Sequence, residues 1–272
     1  MPELTTLPGS DILYRHWPVK DNKAVLLLVH GLGAHTARWN FLADFFVKKN
    51  IPSYAIELKG FGQTKDRPRG HIPTFEIYYR DILELTSFIK RENPSKKVFI
   101  LAESLGGLIV FILACRYPEK YAGQILISPA FANGMKFPLT AYLNLLLLPF
   151  IPARTIPVPF TSEMCTRDTE YQKVMNNNPD EVRVASLKLL VNIMLAQFEA
   201  NSLAKKLLVP SLFLISGKDS LIDENAGRKL FASLKLSDKS KIEYPEMLHA
   251  LSIDLDREKV FADIMSWIEK RL

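Results

Sequence analysis

Two kinds of apolar run alternate along the chain. "KAVLLLVHG" (23–31) is continuously apolar and closed by glycine, as expected of a strand buried on both faces. "TARWNFLADFFVKKN" (36–50) instead spaces Trp39, Leu42, Phe45 and Phe46 at helical intervals. "PSYAIELKG" (52–60), "KKVFILAES" (96–104), "GQILISPA" (123–130), "SLFLISGKD" (211–219) and "SKIEYPEM" (240–247) read as further strands. "FEIYYRDILELTSFIKRENP" (75–94), "LGGLIVFILACRYP" (105–118), "DENAGRKLFASLK" (223–235) and "DREKVFADIMSWIEKRL" (256–272) read as helices. The first of these stops at Asn93-Pro94, where proline disfavours a helical predecessor. Strands alternating with helices of ten or more residues predict an α/β protein with a mostly parallel sheet covered on both faces.

The alternation breaks between 131 and 206. That stretch is rich in Pro, Asn and Leu, and it reads as mostly helical with no strand pattern. It is expected to form a helical cap inserted after "QILISPA", with residues 1–130 and 207–272 forming the core domain. Ligands in open α/β sheets bind at the carboxyl ends of the strands, so an insertion leaving from such an end would cover the site. The cap opens with "MKFPLTAYLNLLLLPFIP" (135–152), whose leucines lie all round a helix and not along one stripe. Such a helix is packed on the body, faces lipid, or lines an acyl tunnel. Pro138, Asn144 and Pro149 interrupt it, so it falls short of the ~20 residues that span a bilayer.

Composition narrows the class. A chain of 272 residues, 48% hydrophobic and 24% charged, fits a globular protein with a sizeable core. The net charge of +6 is compatible with an ordinary mixed surface, or with one that favours anionic membranes or substrates. Nucleic-acid binding is not expected, because the basic residues are spread along the chain and the densest cluster, "KRENPSKK" (90–97), reads as a helix end plus a turn. Cys115 and Cys165 are too few for a disulfide framework and wrongly arranged for zinc. The N-terminal residues carry no basic segment followed by an apolar one, so a cytoplasmic location is the expectation.

The candidate chemistry centres on "LAESLGG" (101–107), where a buried strand lifts one serine and turns at once on glycines. A strand–x-S-x-G–helix turn pushes the serine oxygen above the sheet, and the residues two before and two after it must be small. Ala102 and Gly106 fill those places, and the following helix points its N-terminus at Ser104. A serine nucleophile needs a base. Of the five histidines only His249, in "YPEMLHALSID", lies in a loop just past the last strand. His30 is expected to order the "HGLG" turn through backbone hydrogen bonds, and His16 and His71 to be structural or exposed. The base needs an orienting carboxylate. Asp219 lies just beyond a strand end in "LFLISGKDSLID", whereas Asp223 suits a helix N-cap. Asp254 and Asp256 read as N-terminal dressing of the last helix. Oxyanion donors are expected from the backbone N–H groups of Leu105 and Leu32. "HGLGAH" lacks the third glycine of a dinucleotide loop, Thr36 standing there, and "SGKDS" lacks the P-loop spacing, with Leu212 in the first glycine's place.

The set "HGLGAHTARW", "GFGQT", "LAESLGG", "LISPA", "ISGKDSLID" and "YPEMLH" resembles the α/β-hydrolase superfamily, and within it the monoacylglycerol lipase and lysophospholipase branch grouped with serine aminopeptidases. The resemblance runs from about 10 to 270. It implies a mostly parallel eight-stranded sheet with a helical cap, hydrolysis of a carboxylic ester such as a monoacylglycerol or lysophospholipid, and no cofactor. The implied partners are a small acyl ester and, through the cap, the periphery of a membrane. Ala102 stands where the branch usually has glycine, and Ala250 where it often has Glu. Two alternatives stay open: another hydrolase on the same scaffold, such as an aminopeptidase or a carbon–carbon bond hydrolase, and a binding protein that keeps the fold without the reaction.

Overall fold

The computed structural model describes residues 2–134 and 150–272. The predicted strands form β3 (Val25–Val29), β4 (Ser53–Glu57), β5 (Val98–Glu103), β6 (Gly123–Ile127), β9 (Ser211–Ser216) and β10 (Lys239–Tyr244). Two N-terminal strands, β1 (Leu4–Thr6) and β2 (Leu13–Trp17), complete an eight-stranded sheet in the order β1-β2-β4-β3-β5-β6-β9-β10. β2 is antiparallel to both neighbours, and β3, β4, β5, β6, β9 and β10 are mutually parallel.

The continuous apolar runs resolve into the period-two alternation of a pleated strand. Val25, Leu27, Val29, Ile100, Ala102 and Leu126 face one side, where α2 (Glu76–Glu92) and α3 (Leu105–Arg116) pack on them. Leu26, Leu28, Phe99, Leu101, Ile125 and Leu214 face the other, against α1 (Asn40–Val47) and the last helix, α8 (Arg257–Glu269). Burying each such side chain stabilises by roughly 1.5–3 kcal/mol, so a strand with two apolar faces specifies a covered central position. α3 has no polar face because residues 105–114 are all buried.

In its described residues, the segment joining β6 to β9 does not enter this sheet. It holds α4 (Ser162–Cys165), α5 (Thr169–Asn177) and α6 (Leu187–Leu203), and also an antiparallel ribbon of β7 (Thr155–Pro157) and β8 (Val184–Ser186). The ribbon corrects the expectation of no strands there: three-residue strands are too short for a period to register. Two hydrogen bonds fix β8 to the body from either side, Val182 N–H to the Gly33 carbonyl at 2.9 Å and Ser186 N–H to the Gly70 carbonyl at 2.8 Å. Most of the leucine-rich run 135–152, and Leu145 and Leu148 in it, lie outside the described residues. No helix among the described residues is long and apolar enough to cross a membrane.

Candidate active site

β5 delivers Ser104 at its carboxyl end with φ 58° and ψ −121°, a left-handed conformation that is costly for a residue with a Cβ. The turn can be this tight because Gly106 has no side chain. A Cβ there would lie 2.4 Å from the Val29 carbonyl oxygen and 2.6 Å from that of His30. Gly31 meets the turn from β3, where a Cβ would fall 2.9 Å from the Ser104 Cβ. The Ser104 N–H donates to the Ile127 carbonyl at 2.9 Å, and its own carbonyl accepts from Leu108 and Ala130. The backbone is thus clamped while the side chain stays half-buried.

His249 and Asp219 arrive from the loops after β10 and β9. Asp219 Oδ2 accepts from His249 Nδ1–H at 2.7 Å and from Ser216 Oγ at 2.7 Å. Its Oδ1 accepts from the N–H groups of Leu221 and Ile222 at 2.9 and 3.1 Å. Burial pushes the Asp219 carboxyl up, but His249 and these donors outweigh it and hold it below the usual carboxylate range. Burial also opposes the imidazolium of His249. The Asp219 charge and hydrogen bond win, and His249 sits above the ordinary histidine value. The bond at Nδ1 leaves Nε2 as the free acceptor. Asp223 caps α7 (Glu224–Ser233), accepting from the Asn225 N–H at 3.0 Å, as its position predicts.

Ser104, His249, Leu32 and Leu105 line one cavity of about 290 Å³ at the carboxyl ends of the strands. Neither the Leu32 nor the Leu105 N–H has an acceptor among the described residues. Phe160, Leu190, Ile193 and Met194 from the joining segment, with Ala130 and Leu221 from the body, make the rest of the wall mostly apolar. Among the described residues no group of three His, Cys, Asp or Glu side chains is placed to hold a metal ion.

The other histidines lie away from this arrangement. His30 Nε2 accepts from the Leu58 N–H at 3.0 Å, so its Nδ1–H donates to the Gly31 carbonyl at 2.9 Å. Burial lowers its pKa to about 4, and it orders the turn as a neutral ring. His16 stacks on Tyr54 with ring centroids 3.9 Å apart, and His71 Nδ1 lies 2.8 Å from the Ser186 hydroxyl. Asp254 corrects the sequence reading. It does not dress α8 but sits fully buried, binding Arg167 Nε at 3.0 Å and the Leu248 N–H at 3.0 Å. Asp256 binds Arg167 too, at 2.7 Å.

Sequence reasoning passed over two buried charges on the cavity wall, Arg38 and Glu103. Arg38 donates through Nε and Nη2 to both oxygens of Glu181, at 2.8 and 2.5 Å. Although burial acts the other way, Arg38 and His35 bring the Glu181 carboxyl down to about 2. Glu103 had a visible signal: a carboxylate closing an otherwise apolar strand, one residue before the serine.

Comparison with known proteins bears on this arrangement. The family described as serine aminopeptidase, S33, matches residues 20–256. The chain belongs to that family. Within this S33 setting it is 29% identical to monoglyceride lipase of Homo sapiens, covering 100% of this chain and 91% of that protein. It is 27% identical to monoacylglycerol lipase of Mycolicibacterium smegmatis, over 97% and 95% of the two chains. The crystal structure of Paleococcus ferrophilus monoacylglycerol lipase superposes with a TM-score of 0.87 at 24% identity, covering 97% of this chain and all of that one. The fold is therefore the α/β-hydrolase fold, as the resemblance implied.

Proposed function

We propose that this S33 family member is a serine carboxylic ester hydrolase acting on lipid-like esters such as monoacylglycerols. One observation carries the proposal: a left-handed serine and an Asp-paired histidine meet at a mostly apolar cavity. The names of its full-length relatives support the same reading. Ser104 Oγ attacks the ester carbonyl while His249 Nε2 takes its proton. Asp219 steadies the imidazolium, and the N–H groups of Leu32 and Leu105 receive the oxyanion. The alcohol leaves with the proton from His249, and a water molecule then repeats the sequence on the acyl-enzyme.

In this proposal residues 131–206 form the cap over residues 1–130 and 207–272. On α6, Met194, Leu195 and Phe198 are exposed at i, i+1 and i+4, and Met194 also lines the cavity. An apolar rim at the mouth suits a peripheral contact with a membrane, helped by the basic balance of the chain.

The test is labelling by a fluorophosphonate probe, followed by turnover of p-nitrophenyl esters, monoacylglycerols of graded length and aminoacyl p-nitroanilides. Labelling and monoacylglycerol turnover are expected. Preference for the anilides would replace this reading with a peptidase, and absence of labelling would replace it with a binding protein. Changing Met194, Leu195 and Phe198 to Ser should lower vesicle binding and long-chain turnover while sparing a short soluble ester. Equal losses on both substrates would make that face structural.

A further inference from the structure

Glu103 closes β5 immediately before Ser104. It is 5% exposed and lines the cavity, and its carboxylate is bonded to the loop that carries His249. Oε1 accepts from the Ser252 N–H at 3.3 Å, and Oε2 from the Ser252 hydroxyl at 3.2 Å. Ser252 is three residues after His249 and is itself fully buried. These two bonds join the strand of the serine to the loop of the histidine across 149 residues of sequence. The Ala250 N–H, between them, donates to the Cys165 carbonyl at 2.9 Å.

From this geometry we infer that Glu103 is a positioning residue for His249, locking the histidine loop to the serine turn so that base and nucleophile keep one fixed separation. The inference rests on the reading of Ser104 and His249 as nucleophile and base. A neutral glutamine could make both bonds to Ser252, accepting from the N–H and donating to the hydroxyl. A buried carboxylate is the more expensive choice, so its charge has a use of its own. The titratable and charged groups close enough to interact electrostatically with it are His249, Arg38, Cys165 and Tyr171. Arg38 is already bound through both oxygens of Glu181. Burial holds the Glu103 carboxyl above the usual carboxylate range, although His249 and Arg38 draw it down. On His249, Glu103 acts in the same direction as Asp219, favouring the imidazolium that forms during attack.

Glu103→Gln, Glu103→Ala and Ser252→Ala separate geometry from charge on a soluble p-nitrophenyl ester, with folding checked by far-UV circular dichroism. Glu103→Ala removes both bonds. Its kcat should fall roughly 10- to 100-fold with KM little changed, the cost of a misplaced base. Glu103→Gln should recover most of kcat on the pH plateau while moving the acid limb of kcat/KM to lower pH, because one negative charge beside His249 is gone. Ser252→Ala keeps the charge and loses one bond, so it should fall between, with the limb unmoved. The inference is overturned if Glu103→Ala stays within twofold of wild type. It is also overturned if Glu103→Gln is as impaired as Glu103→Ala with its limb in place. If Glu103→Ala does not fold, the other two variants decide. A wild type that takes no fluorophosphonate overturns the reading of Ser104 itself, a result distinct from an active wild type indifferent to Glu103.

Discussion

Ser104 and His249 reach the same cavity from regions built in opposite ways. The serine turn is shaped within a few residues: an apolar strand, a left-handed Ser104 and a Gly106 that lets the turn lie on β3. The histidine loop, 245–256, contains no glycine and, beside bonds within it such as that of Leu248 to Asp254, is held by bonds from elsewhere in the chain. The Lys218 N–H donates to Met247, Cys165 accepts from Ala250, Thr166 Oγ1 donates to Ile253, and Glu103 receives Ser252. Asp254, within the loop, receives Arg167 from the joining segment. The nucleophile's conformation is thus written into its own short run and then clamped by backbone bonds to Ile127 and Ala130, whereas the placement of its base depends mostly on contacts that only the finished fold supplies. The two regions should respond differently to substitution.

The largest effect should come from Ser104→Ala, with kcat on ester substrate falling on the order of 10⁴-fold or more. Its melting temperature should stay close to wild type, since the turn is held by backbone bonds and Gly106 and not by the hydroxyl. Comparable turnover by this variant would remove Ser104 from the proposal. Next, Asp219→Asn should lower kcat by roughly 10⁴-fold, because the amide favours the wrong imidazole tautomer. Asp223→Asn should be mild, as asparagine also caps a helix, and a reversal of these two results would make Asp223 the acid. In the wild type, kcat/KM should rise with pH as His249 loses its proton. Asp219 raises the pKa of His249, so the midpoint belongs above the ordinary value of about 6.5. A profile flat from pH 5 to 9 would argue against a histidine base. The smallest effect sharpens the comparison most. Arg167 does not line the cavity, yet Arg167→Ala should lower kcat roughly tenfold by loosening the histidine loop. Stability should drop by about 1–3 kcal/mol, because buried Asp254 loses the hydrogen bonds of its partly exposed cation. Both can be read from ester kinetics and thermal melts, and unchanged kcat would mean the loop holds without the joining segment.

The same division explains what could be read from the sequence. The central strands, their helices and the Ser104 turn were legible because each is specified by a short run: apolar continuity, helical spacing, small residues at fixed offsets. His249 and Asp219 were legible only through their places past strand ends. Glu103, Arg38 and Asp254 owe their roles to partners 149, 143 and 87 residues away, and no local period encodes such a pairing. β1 and the β7–β8 ribbon were missed because a run of three residues carries no clear alternation.

The bonds from Val182 to Gly33, from Ser186 to Gly70 and from Arg38 to Glu181 make residues 181–186 part of the wall of the body, although they belong to the joining segment by sequence. That changes where the molecule can be divided. An exchange of this segment for that of a relative, cut at its two ends in sequence, would tear out a ribbon edge and leave Arg38 buried without its anion. A graft that keeps 181–186 with the recipient and replaces only what precedes it would leave those seams intact. The modular unit of this protein is therefore smaller than the stretch of chain between two strands of its sheet.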